Sequence, residues 1–136
     1  MKKKINFDLR KKIVDIVTNS GWGHIPSSFS IVEILNVLYF NFLKINPKNS
    51  NDKNRDYFIL SKGHGCVALY TVLNKRGLIK DKDIRSFSKV NSILGEHPDA
   101  TKIKFVEASC GSLGHGLSFA VGIAYSLKLQ KKKNKV

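Results

Sequence analysis

Four histidines stand out by their settings. His24, His64 and His115 each follow a glycine, and His97 lies in Gly95-Glu96-His97-Pro98. Loops of this kind present a side chain to a ligand while a rigid scaffold holds the backbone. Together they point to a site that hydrogen-bonds a polar ligand or moves a proton. Any one alone reads as a surface or structural histidine. Two glycine-rich stretches, Ser61-Lys62-Gly63-His64-Gly65 and Gly111-Ser112-Leu113-Gly114-His115-Gly116, run directly into apolar helical patterns. A helix N-terminus offers unpaired amides and a partial positive charge, and glycine lets a ligand approach the backbone, so an anion such as a di- or triphosphate suits both. The same glycines would equally serve tight turns and close helix contacts. Neither stretch has the Gly-x-Gly-x-x-Gly dinucleotide spacing, and no Walker pattern occurs.

Other chemistries find less support. His64 and Cys66 are spaced by one residue, and no paired ligand spacing of a zinc site appears. Cys66 and Cys110 lie in apolar or glycine-rich surroundings and read as small packing residues, with no base to make a thiolate nucleophile and no disulfide framework. Glu107, just before the second glycine stretch, reads as an ion-pair residue or a partner for a histidine, with a proton-donor role left open.

These residues need a scaffold, and 136 residues, 42% of them hydrophobic, are enough for one core. No run reaches the roughly 20 apolar residues of a membrane helix. Ile31 to Leu43, the richest, is interrupted by Glu33, Asn36 and Asn41. Met1-Lys2-Lys3-Lys4 imitates the start of a signal sequence, but Asp8, Arg10, Lys11, Lys12 and Asp15 deny it an apolar region. A soluble, cytoplasmic chain is expected. The net charge of +14 lies mostly at the termini: residues 1–12 hold six of the 24 basic residues and 128–136 hold five. A basic tail attracts anions non-specifically. No aromatic residue interrupts Lys131-Lys132-Lys133-Asn134-Lys135 as a base-stacking surface requires, so a solvated Lys-rich tail over 128–136 is expected, with no specific nucleic-acid partner.

The patterning predicts a helix from about Asp8 to Asn19, with Leu9, Ile13, Ile16 and Val17 on one face, broken by Ser20-Gly21-Trp22-Gly23. Ser30-Ile31-Val32-Glu33 reads as a capping box opening a helix to about Leu43. Asn46-Pro47 through Asp52 reads as a polar turn, and Tyr57-Phe58-Ile59-Leu60 as a short buried strand. A helix from the first glycine stretch to Arg76 is closed by Gly77. Asp81 caps a short helix carrying Ile84 and Phe87, and a last helix runs from Leu117 to about Gln130. The fold class is α/β, helix-rich in the portion present.

Taken in order, four stretches resemble the N-terminal, thiamine-diphosphate-binding part of transketolase: Gly23-His24-Ile25-Pro26-Ser27-Ser28-Phe29-Ser30, Phe58-Ile59-Leu60-Ser61-Lys62-Gly63-His64-Gly65, Gly95-Glu96-His97-Pro98-Asp99, and Val106 through Gly116. The resemblance runs from about Phe7 to Leu129. It implies part of a fold in which helices flank a parallel sheet, with residues 1–136 forming a single, incomplete domain. It also implies transfer of a two-carbon ketol unit between sugar phosphates, the cofactor supplying a carbanion nucleophile and an electron sink. By motif match His64 would lie against the cofactor's diphosphate and Gly111, Ser112 and Leu113 would line it beside the aminopyrimidine. His24 and His97 would hydrogen-bond substrate hydroxyls and aid proton transfer, with Ser27 also on the substrate side. The glutamate that activates the aminopyrimidine belongs to another domain in this family, so that role is not given to Glu107.

The departures matter too. Pro26 stands where many relatives have glycine, which stiffens the loop after His24, and His115 replaces a frequent glutamine. The family's Gly-Asp-Gly motif, whose Asp holds the Mg²⁺ that clamps the diphosphate, does not occur in the sequence, so no metal ligand is expected within it. The remainder is expected from separate C-terminal transketolase-type chains in a hetero-oligomer, leaving apolar faces of helices 31–43 and 117–130 uncovered. Two readings of other classes stay open: a non-catalytic remnant or assembly protein, and a basic nucleic-acid-binding module.

Overall fold

The computed structural model describes residues 2–48 and 51–136. Asn49 and Ser50, within the expected polar turn, lie outside the described residues. Among the described residues six α-helices form: α1 (Lys2–Ser20), α2 (Ile25–Phe29), α3 (Val32–Val37), α4 (Cys66–Lys75), α5 (Asp81–Arg85) and α6 (His115–Leu129).

Helix α4 is the centre. Its residues from Cys66 through Leu73 are all buried, so it has no solvent face over two turns, and α1, α2, α3 and α5 all pack against it. Leu9, Ile13 and Ile16 give α1 one buried face at helical spacing, and Val32, Leu35 and Tyr39 do the same for the segment that follows α2. Thr71, fully buried in α4, returns its hydroxyl to the Val67 carbonyl at 2.7 Å, which leaves the helix apolar towards its neighbours. Arg76 and Gly77, at φ +74°, end α4 where glycine was expected to close it.

Several local expectations change. Helix α1 starts at Lys2 rather than near Asp8; lysine favours helix, and Ile5 packs on the core. The Ser30–Glu33 capping box does not form: Ile31 is the N-cap of α3 and makes no side-chain cap. The Ser30 hydroxyl bonds the Ser27 carbonyl at 3.0 Å, while Glu33 pairs with Arg10 at 2.7 Å. The helix expected to reach Leu43 stops at Val37 and gives way to a π turn over Leu38–Phe42. In α5 the cap is Lys80, whose amide donates to the Asp83 carboxylate at 3.2 Å. Asp81 instead accepts from Asn74 at 3.0 Å and Lys12 at 3.2 Å, and these donors hold its carboxyl below the ordinary range.

No strand, and so no parallel sheet, forms among the described residues. Residues 57–60, expected as a strand, form no regular element, and the Tyr57 amide donates to the Lys135 carbonyl at 2.9 Å. The Lys-rich tail is therefore tied down by its backbone while its lysines stay exposed. Asn134 donates to the Lys53 carbonyl at 2.9 Å and the Arg55 carbonyl at 2.6 Å. The buried Asp56 carboxylate accepts the amides of Lys135 at 2.8 Å and Lys44 at 2.9 Å, which compensates its burial.

Leu73, fully buried in α4, should cost about 3 kcal/mol of stability when cut to alanine. Val90→Ala, at a residue 92% exposed, should stay within about 0.5 kcal/mol. Urea unfolding of the two variants checks the pair, and equal losses would contradict a core centred on α4.

Candidate functional site

Four loops converge at the start of α4. The first glycine stretch makes a 3₁₀ turn over Gly63–Gly65 and leads straight into it. A Cβ on Gly63 would stand 2.2 Å from the Cys110 carbonyl oxygen and 2.6 Å from Cδ2 of His97. Only glycine lets the 95–98 and 107–111 loops close onto this turn. Gly65 gives the same room to Ile31, and Gly116 to Ser61. The motif glycines thus serve contact between loops, which is one of the two uses the sequence allowed.

The outcome is a cluster of imidazoles. The rings of His24 and His64 lie 6.0 Å apart and those of His64 and His97 5.1 Å apart, both edge to face, and all three residues are exposed. His24 and the His97 loop are each held by neighbouring groups. His24 is the N-cap of α2, its Nδ1 accepting the Ser27 amide at 3.2 Å, with Pro26 in the first turn, where its fixed φ fits a helix start. His97 is placed through two α4 side chains: the Tyr70 hydroxyl donates to the Gly95 carbonyl at 2.9 Å, and the Cys66 thiol to the Glu96 carbonyl at 3.0 Å. Burial pushes the Cys66 thiol up to about 12 and raises the Cys110 thiol as well. Neither is a nucleophile at neutral pH.

The other expected site residues divide. Gly111 lies beside His97, where a Cβ would stand 3.7 Å from the ring. Ser112 and Leu113 are exposed in the turn before α6, the Ser112 carbonyl accepting the His115 amide at 3.4 Å. Ser27 meets His24 through its backbone. His115 opens α6 without a ring contact to the other three among the described residues. Glu107 is structural: the Arg55 guanidinium grips it with two bonds, 2.5 and 3.1 Å long, and both side chains are 11% exposed. Arg55 also stacks 4.8 Å from the Tyr57 ring. The residues whose part in holding the site sequence reasoning missed are Lys62 and Tyr70, which it left unassigned, and Cys66, which it read as a small packing residue. They hold the loops from 25 to 35 positions away, and only their place beside or after the glycine motif hinted at a role.

No group of three or more His, Cys, Asp or Glu able to hold a metal occurs among the described residues. A cavity of about 750 Å³ lies between α1 and α5, lined by Asp8, Lys12, Asp81 and Arg85 among others, and contains none of the clustered histidines. The imidazoles occupy an open face instead.

A profile of the thiamine diphosphate binding domain of transketolase matches residues 1–135. The chain belongs to that family. Ferredoxin fas2 of Rhodococcoides fascians is 45% identical over 80% of this chain and 36% of its own length. An apulose-4-phosphate transketolase subunit of Phocaeicola vulgatus is 37% identical over 90% of this chain and 43% of its own. Among solved structures, transketolase from Leishmania mexicana superposes with a TM-score of 0.87 at 30% identity, covering 91% of this chain and 19% of that one. The transketolase-family chain thus spans less than half the length of these relatives.

Two measurements check this geometry. Gly63→Ala should cost about 3 kcal/mol, because a backbone carbonyl cannot move aside as a side chain can. Gly122→Ala, where a Cβ meets nothing within 4 Å, should raise stability by up to about 1 kcal/mol. Separately, an aromatic disulfide reagent should leave both cysteines untouched in the folded chain and titrate both in denaturant. Fast reaction of the native thiols would refute their burial.

Proposed function

We propose that this chain forms the cofactor-side portion of a transketolase-type transferase, moving a two-carbon ketol unit between sugar phosphates. The observation that carries this reading is the meeting of His24, His64 and His97 from three separate loops, in a chain of the thiamine-diphosphate-binding family. No helix among the described residues is long and apolar enough to cross a membrane. Sugar phosphates are charged and stay in the compartment that makes them, so the proposed place of action is the cytoplasm.

The residues present suit one side of the cofactor. The close approach at Gly63 sets the His97 ring beside the turn that carries His64, with Gly111 against the same ring, and His64 stands at the positive end of α4. His64 would hold the diphosphate, and Gly111, Ser112 and Leu113 would line the ring system. When bound, thiamine diphosphate supplies the nucleophilic carbon and electron sink that the protein's side chains lack. His24 and His97 would hydrogen-bond the sugar hydroxyls and hold the proton that leaves or joins a hydroxyl oxygen. Ser27 stands beside His24 on the substrate side. The magnesium ligands, the aminopyrimidine-activating carboxylate and the second wall of the open site would come from other polypeptide, as a hetero-oligomer with a C-terminal transketolase-type chain. The Phocaeicola vulgatus relative is itself named as one subunit of a transketolase, which supports this division.

Reconstitution tests the reading. The chain, mixed with a C-terminal transketolase-type partner, thiamine diphosphate and Mg²⁺, should transfer ketol units from a ketose phosphate. His24→Ala or His97→Ala should lower kcat about 100-fold or more, and His64→Ala should chiefly weaken cofactor binding. No turnover from a well-formed complex would reject the proposal and favour a non-catalytic assembly protein.

A further inference from the structure

We infer that Lys62 is a positioning residue that fixes the tautomer and orientation of His24. Lys62 lies in the first glycine stretch, two residues before His64, yet its ammonium crosses to the other loop. It donates to the Ser27 carbonyl at 2.8 Å and to the Ser30 hydroxyl at 2.7 Å. Ser30 in turn donates to the same carbonyl at 3.0 Å. Residue 65 lies beside the crossing: a Cβ there would stand in ordinary contact, 3.5 Å, with both Cε of Lys62 and the Ser27 carbonyl oxygen, and its glycine is required by Ile31, which a Cβ would meet at 2.7 Å.

Ser27 is the residue whose amide reaches His24. Its N–H donates to Nδ1 at 3.2 Å, and a nitrogen that accepts a hydrogen bond cannot carry a hydrogen. The neutral ring must therefore bear its hydrogen on Nε2, at the opposite edge from Ser27. Helix α2 spans only Ile25–Phe29, too short to persist unaided. The two peptide groups that meet at the Ser27 Cα are held from opposite sides: Lys62 fixes the carbonyl of one from outside the helix, while the amide of the other faces His24. One cation thus ties the His24 loop to the turn that carries His64, and presents His24 as an Nε2–H donor. The value of that donor to a sugar oxygen rests on the proposed transferase reading. The clamp itself does not.

Nitrogen NMR of the full chain labelled at histidine and backbone nitrogens tests this at pH about 8.5, above the ordinary imidazole range of about 6.5. Comparison with His24→Gln assigns the signals. In the unaltered protein, Nδ1 of His24 should resonate as a bare acceptor and Nε2 as N–H. In Lys62→Met the tautomer ratio should move towards that of a free imidazole by about threefold or more, and the Ser27 amide should exchange faster. Lys62→Arg, which keeps a cation, should restore both signals. Unchanged His64 and His97 signals establish that the fold is intact. If Lys62→Met does not fold, Ser30→Ala removes one acceptor of the ammonium and is read the same way, with a smaller shift expected. A hydrogen on Nδ1 in the unaltered protein, or signals that ignore these variants, overturns the inference. None of these readings needs cofactor, sugar or partner, so the clamp and the transferase proposal fail separately.

Discussion

A helix with no solvent face constrains everything around it. Because Cys66 through Leu73 are buried on every side, α4 cannot end in free solution at its N-terminus. The chain must enter it through a turn that other loops cover, and Gly63 and Gly65 make that turn thin enough to be covered. The same burial supplies the supports. Tyr70 and Cys66 project from α4 to the Gly95 and Glu96 carbonyls, so the helix that forms the core also sets the height of His97. Burial raises the Tyr70 hydroxyl and the Cys66 thiol above their ordinary values, and both therefore remain donors across the physiological pH range. Stability and site geometry are here one set of contacts.

Much of this is legible from residue types alone. Glycine before histidine, repeated in three loops, marks the residues that form the cluster or open α6, and the breaks at Gly21 and Gly77 follow from the sequence because positive φ leaves few alternatives. What residue types do not reveal is partners distant in the chain. Ser30 and Glu33 have the spacing of a capping box, but Lys62 and Arg10 offer each a stronger, charged partner. The change to a π turn at Leu38 has no counterpart in the hydrophobic pattern, which runs on to Leu43 with Asn41 as its one interruption after Leu38. The parallel sheet implied by family resemblance is not formed among the described residues: one bond joins Tyr57 to Lys135, and one bond does not make a ladder.

The second glycine stretch shows a different balance. Helix α6 is apolar in composition, yet only Gly116 and Leu127 are buried, and Leu117, Phe119, Val121 and Tyr125 are exposed. The uncovered face expected for helix 117–130 is thus present, and Ile34, Val37 and Phe42 leave a second one near α3. Isolated apolar residues on a surface are ordinary, but a whole helix of them is not. The chain's relatives in the transketolase family are at least twice as long as the part it matches.

The exposure of the three imidazoles also fixes how strongly they can act. Facing water, a unit charge 4 Å from another is worth about 1 kcal/mol, whereas near an effective dielectric of 20 it is worth about 4 kcal/mol. Covering this face would raise the strength of every polar contact on it several-fold without moving an atom of the cluster. The protein has fixed the positions of these groups in advance and left their potency to whatever excludes the water.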